Sequence, residues 1–163
     1  LDGSSAASDV YKRQLLHTLP LTNFSRLEWA LSYTYTESEF GQTFLSGFSQ
    51  WGLVREGDEL PYIPEHIGNA RISYFRNKWS IEGALDFQSE MREVPGTGDI
   101  GEELHADDFT TLDLTISHQT TDAFTLQIML LNALDKAAIV SHRPFGARPN
   151  RPRSLVARIK YRF

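Results

Sequence analysis

The last nine residues, LVARIKYRF, constrain this chain more than any other stretch. Counting back from the end, Phe163, Tyr161, Ile159, Ala157 and Leu155 share one parity. Arg162, Lys160, Arg158, Val156 and Ser154 share the other. Side chains alternate across a β-strand with period two. One face is therefore apolar and ends in two aromatics, while the opposite face carries three cations. A strand of this kind has to stand between an apolar medium and a polar one.

The same period runs through five earlier segments. From Arg26 to Ser38, Leu27, Trp29, Leu31, Tyr33 and Tyr35 oppose Glu28, Ala30, Ser32, Thr34 and Thr36. From His66 to Phe75, Ala70, Ile72 and Tyr74 share a face. From Trp79 to about Met91, Trp79, Ile81, Gly83, Leu85 and Phe87 oppose Ser80, Glu82, Ala84, Asp86 and Gln88. From Asp108 to His118, Leu112, Leu114 and Ile116 oppose Thr111, Asp113, Thr115 and Ser117. From Ala123 to Ala133, Phe124, Leu126, Ile128 and Leu130 align. The sixth segment is Pro152 to Phe163. No stretch shows a helical period.

The connections carry an independent signal. Arg76-Asn77-Lys78 and Gln119 to Asp122 are short links. Glu39 to Glu65, Arg92 to Asp107 and Leu134 to Arg151 are long. In an up-and-down meander, alternate links lie at the same end, so the long loops fall at one end and the short turns, with the C-terminus, at the other. Transmembrane barrels have this asymmetry, and soluble sheets rarely tolerate it. Aromatics gather near strand ends, with Trp29, Tyr74, Trp79, Phe124, Tyr161 and Phe163 toward the short turns and Tyr35, Phe87 and Phe109 toward the loops. Two interfacial girdles account for that. The expected fold is all-β: an antiparallel meander of about six strands forming part of a transmembrane barrel wall.

Composition is compatible with this. No run of about 18 apolar residues exists, which excludes a transmembrane helix but not a barrel. There is no cysteine, hence no disulfide and no thiolate metal site. A net charge of -5 argues against nucleic acid as a partner. Residues 4–14, SSAASDVYKRQ, resemble the translation of a transposase adaptor used in preparing sequencing libraries. Residues 1–14 are accordingly set aside as an expected disordered artefact, with 15–163 as the folded portion. The chain is expected to continue upstream.

GDELPYIPEH (Gly57 to His66) before a strand, NALD (Asn132 to Asp135) after one, and HRPFGARPNRPRS (His142 to Ser154) combine with the terminal Phe in one order and spacing. Together they resemble the C-terminal end of a TonB-dependent outer-membrane receptor, over roughly Ser25 to Phe163. The resemblance implies a barrel of 22 strands with a plug in its lumen. It also implies uptake of a scarce ligand energised by a TonB-type protein. This chain would hold the last strands only, without the plug. The last loop is similar to those of receptors for ferric citrate and related iron chelates. Leu155, Ala157, Ile159, Tyr161 and Phe163 would be the strand read by the barrel-assembly machinery. Outer-membrane lipid would face the apolar side, and no cofactor is implied.

Ligand chemistry is expected in the loops. His142, Arg143, Arg148, Arg151 and Arg153 crowd the last one. Guanidinium forks bind carboxylates bidentately and stay charged, which suits an anionic iron chelate. Alternatively these arginines pair with acids of neighbouring loops or with lipid head groups. Phe48 and Trp51, with Phe40 and Phe44, could meet the apolar part of a ligand or pack the first loop over the mouth. Pro61 and Pro64 predict a rigid, extended entry into the next strand. The acidic stretch from Glu93 to Asp108, with Asp99, Glu102, Glu103, His105 and Asp107, reads as a solvated loop, without ordered metal-ligand spacing. Glu82, Asp86, Asp113, Arg158 and Lys160 would line the interior. Two other classes compete: an outer-membrane barrel enzyme and a soluble β-sheet binding module. For the enzyme, Ser141-His142 offers a nucleophile and a base, but no orienting acid is evident.

Overall fold

The computed structural model describes residues 6–101, 105–143 and 146–162. Glu102, Glu103, Pro144 and Phe163 lie outside the described residues. In chain order the strands begin with β1 (Ala6–Thr22), β2 (Ser25–Phe40), β3 (Phe44–Leu45) and β4 (Leu53–Val54). They continue with β5 (His66–Arg76), β6 (Trp79–Gln88), β7 (Met91–Arg92) and β8 (His105–Ala106). The remainder are β9 (Phe109–Gln119), β10 (Phe124–Leu131), β11 (Ile139–Ser141), β12 (Arg148–Pro149) and β13 (Ser154–Tyr161). The long strands make one seven-stranded antiparallel sheet in the order β1-β2-β5-β6-β9-β10-β13. Each long strand is hydrogen-bonded to its neighbours in sequence, so the sheet is a meander. The short strands form three two-stranded ribbons, β3-β4, β7-β8 and β11-β12, one within each long loop.

Register confirms that one parity is one face. Across the sheet Leu27 pairs with Tyr74, Tyr74 with Ile81, Ile81 with Ile116, Ile116 with Ile128 and Ile128 with Ala157. This face has no second sheet against it. Leu31, Leu85 and Ile128 are 46%, 38% and 55% exposed, so the stacked arrangement of a soluble sandwich is not formed. The opposite face is tied by polar cross-strand bonds. Ser32 Oγ donates to Asn69 Oδ1, Asn69 Nδ2 to Asp86 Oδ1, Ser73 Oγ to Glu82 Oε2, and Gln127 Nε2 to Ser117 Oγ. These bonds satisfy the polar groups that parity places there. Phe109 belongs to this polar face, opposite Gln88, and not to the apolar girdle.

The sheet departs from expectation at its start. Residues 6–14 are not disordered: they form the outer half of β1, paired with residues 32–40 of β2. The expected first strand, β2, is therefore flanked on both sides and β1 is the edge. The turn Asn23-Phe24 closes this hairpin, with Thr22 Oγ1 and Ser25 Oγ 2.7 Å apart. Backbone pairing explains the extension, because β2 offers a continuous ladder to whatever chain precedes the turn. The side chains do not follow it. Leu19 and Leu15 lie across from Leu27 and Leu31 on the apolar face, but Arg13 falls on that face opposite Tyr33, and Asp9 opposite Glu37. Leu16 and Val10 fall on the polar face, opposite Ala30 and Thr36.

Turns and loops segregate as predicted. Asn23-Phe24, Asn77-Lys78 and residues 120–123 lie at one end, and the segments 41–65, 89–108 and 132–153 at the other. Asn77 adopts φ 52, a left-handed conformation that Asn tolerates better than most residues, which lets two residues reverse the chain.

Candidate functional site

The three long loops converge at one end of the sheet, and a buried carboxylate sits between them. Glu93, just after β7, is 1% exposed. Its Oε1 accepts a hydrogen bond from the His142 backbone N–H at 2.7 Å. His142 Nδ1 lies 3.4 Å from the same oxygen, and Arg143 Nε lies 3.9 Å from Oε2. The Arg143 guanidinium also stands over the Phe48 ring, 5.3 Å from its centroid. Residues from all three loops thus meet around Glu93 and Arg143.

Tyr62 completes the cluster. Pro61 and Tyr62 form a turn, with Tyr62 at φ 62, and not the extended entry predicted from the two prolines. Pro at the first central position and a left-handed residue at the second fit a type II turn, which favours the one and needs the other. A non-glycine residue there carries strain. Its N–H donates to Arg92 O at 2.9 Å, which fixes the phenol beside Glu93 and Arg143. Burial, and then the Glu93 charge, raise the Tyr62 pKa above its ordinary value of 10.0, while Arg143 opposes them. The phenol is neutral at physiological pH.

A second arginine binds the first and second loops together. Arg92 Nε donates to Glu59 Oε2 at 2.7 Å and Arg92 Nη2 to Gly98 O at 2.6 Å. The Glu59 N–H donates to Gly96 O at 2.9 Å. The acidic stretch is accordingly not a uniformly solvated loop. Glu93 is buried, and Asp107 accepts from the Ile139 N–H at 2.6 Å while its own N–H donates to Ile139 O at 2.8 Å. Loops cannot leave their backbone groups unpaired where they pack, so acids of one loop serve amides of another.

Each residue singled out in the sequence has a definite place. Phe48 and Trp51 pack edge-on at 5.8 Å, with Phe40 6.1 Å from Trp51 and 5.4 Å from Phe44. This is a small core holding the first loop, although Phe48 remains 48% exposed. Trp51 Nε1 is buried without a hydrogen-bond partner among the described residues. His142 and Arg143 turn inward to Glu93. Arg148, on β12, returns opposite Ser141 with its side chain exposed, and Arg151 is also exposed. Arg153 reaches Asp135 at 3.1 Å, with both side chains about half exposed. Leu155, Ala157, Ile159 and Tyr161 lie on the exposed apolar face of the edge strand β13, opposite Leu130, Ile128, Leu126 and Phe124.

Sequence reasoning missed Glu93, Arg92 and Tyr62 as members of the site, because nothing in their local pattern marks them. It also found no acid near His142; Glu93 lies 3.4 Å from His142 Nδ1, but that nitrogen makes no hydrogen bond among the described residues. Ser141 Oγ, however, is engaged with Arg143, accepting from its N–H at 3.1 Å and donating to its carbonyl at 3.4 Å. Among the described residues, no group of three or more His, Asp or Glu forms a metal site.

The NALD segment has a local explanation. Asn132, at φ 48 and 2% exposed, ends β10. Its N–H donates to Asp113 Oδ1 at 2.8 Å, and its Nδ2 donates to Lys136 O at 3.0 Å and Arg151 O at 2.8 Å. One side chain thereby joins the two arms of the last loop to the wall.

Comparison with known proteins fits this architecture. The siderophore receptor PiuA from Acinetobacter baumannii superposes with a TM-score of 0.65 at 16% identity, over 94% of this chain and 22% of that one. The ferric-catecholate import receptor Fiu from E. coli K12, in its closed form, superposes with a TM-score of 0.57 at 13% identity, over 96% of this chain and 28% of that one. Its open form gives 0.53 at 16% identity, over 94% and 26%. The chain therefore spans about a quarter of each of these receptors. No curated protein sequence matches it. The family model for the TonB dependent receptor-like β-barrel matches residues 7–133, beginning inside the adaptor-like segment. With that match over most of its length, and with the meander wall it forms, the chain belongs to the TonB-dependent receptor β-barrel family.

Proposed function

We propose that this wall is part of an outer-membrane importer of an anionic iron chelate, driven by a TonB-type protein that acts through a plug outside this chain. The apolar face meets outer-membrane lipid, the polar face lines the lumen, and the long loops open to the exterior. The edge strand β13, whose apolar face carries Leu155, Ala157, Ile159 and Tyr161, presents an apolar, aromatic-ended pattern for the barrel-assembly machinery. The observation that carries the chelate reading is the cationic last loop. Arg148 and Arg151 extend into solvent beside the cluster that holds Arg143. Exposed guanidiniums at the mouth draw in and orient multiply charged carboxylate chelates.

The half-exposed Phe48 ring favours a second cargo, a ferric catecholate, whose aromatic rings would stack there. Ferric catecholate is the cargo named for Fiu, and a siderophore the one named for PiuA. Radio-iron uptake by cells whose only receptor is the full-length protein separates the two readings. Ferric citrate uptake that requires TonB and falls in Arg148→Gln with Arg151→Gln supports the carboxylate reading. Uptake of a ferric catecholate alone, unchanged in that double variant, replaces it with the second. Absence of TonB-dependent uptake for either refutes import of both cargo classes.

A further inference from the structure

Two arginines tie the loops together, and they are used differently. Arg92 is hydrogen-bonded through two of its nitrogens: Nε and Nη2 donate at 2.7 and 2.6 Å to the first and second loops. Arg143 is not. Its Nε and Nη1 are buried, yet neither makes a hydrogen bond among the described residues. His142 Nδ1 is in the same position. The carboxylate they surround, Glu93, is almost completely buried, but among the described residues it receives one close hydrogen bond, from a backbone amide. A buried ion pair is stable when both partners are hydrogen-bonded as well as close. Here cation and anion are held together at 3.9 Å with donors left over. Arg92 is built as a permanent tie and Arg143 as a releasable one.

We propose that Glu93 is an internal surrogate for the ligand's oxyanion: it latches the last loop over the first two, and an anionic chelate opens the latch by taking Arg143 and His142 for itself. This rests on the anionic-chelate reading above. An incoming carboxylate can offer both oxygens to the guanidinium fork, a geometry Glu93 does not reach. That difference in affinity between latched and released loops is what a ligand needs to shift the equilibrium. The Phe48 ring under Arg143 and the Tyr62 hydroxyl beside it keep the guanidinium in place while it changes partner.

The test uses the full-length receptor in lipid nanodiscs, with amide hydrogen exchange followed in peptides covering 139–143. Glu93→Gln keeps the size of the side chain and removes its charge. Arg143→Gln removes the cation. Each should speed exchange of these amides at least tenfold and leave those of β9 and β10 unchanged. The double variant should exchange no faster than the faster single one, because the two changes break one interaction. Ferric citrate should bind Glu93→Gln several-fold more tightly than the parent protein. Exchange in Glu93→Gln equal to that of the parent, or additive effects in the double variant, overturns the latch. Equal or weaker ferric citrate binding by Glu93→Gln overturns the competition. If the parent does not bind ferric citrate at all, the chelate reading and the competition fall together, and the exchange data alone decide the latch.

Discussion

Ile128 offers the most direct test of the two-faced wall. It stands in the middle of β10, paired with Ile116 on one side and Ala157 on the other, and is 55% exposed on the apolar face. It lies four residues from Phe124, which at roughly 3.3 Å per residue and a tilt near 40° is about 10 Å along the barrel axis. In an apolar band about 25 Å tall, that is close to the midplane. Ile128→Arg in the full-length receptor should therefore cost about 2–4 kcal/mol of folding free energy. The folded-to-unfolded ratio would fall roughly 30- to 700-fold. The matched control is Thr115→Arg, on the neighbouring strand but the other face, between Glu82 and Met129. There the new cation meets lumen water and a carboxylate, and the cost should stay below about 1 kcal/mol. Denaturant titration of the receptor folded into phospholipid bilayers measures both, with outer-membrane abundance in cells as a second readout. Equal losses for the two variants would refute the assignment of faces and with it the membrane reading of the wall.

Four further outcomes are expected. Deleting Phe163 from the full-length protein should lower its outer-membrane level without lowering its synthesis, as read by immunoblots of membrane fractions and whole cells. Replacing both Arg148 and Arg151 by Gln should weaken ferric citrate binding by about 1.5–3 kcal/mol for each charge-assisted bond lost, with a smaller difference at high salt. Asn132→Ala leaves the Arg151 carbonyl without its donor and the Lys136 N–H without its acceptor, and places a less tolerant residue at φ 48, so it should cost about 2 kcal/mol or more and speed proteolysis within the last loop. The raised Tyr62 pKa means that the folded loops favour the neutral phenol: their stability is complete below the ordinary value of 10.0 and is lost as the pH rises through the higher folded value. The difference between spectrophotometric titrations of the parent and Tyr62→Phe should show a tyrosine that ionises above 10.0 and is lost in the variant.

Parity alone determined which residues share the apolar face and which share the polar one. Each strand carries its own period of two, and register in a meander transmits that parity from strand to strand without long-range information. Loop lengths determined which end holds the turns. Only the tertiary structure decided how the loops use their charges. Glu93 and His142 are 49 residues apart, and their meeting depends on how three loops fold over one another at the end of the sheet. No local pattern separates a buried acid such as Glu93 from an exposed one such as Asp99, since both occur in the same polar stretch. Backbone pairing also overrode side-chain pattern at the N-terminus, where the open edge of β2 accepts a strand even though Arg13 then points to the apolar side. A hydrogen-bond ladder recognises the main chain, whereas a lipid-facing wall also requires the right side chains. Residues 6–14 satisfy the ladder and break the alternation that the rest of the wall obeys.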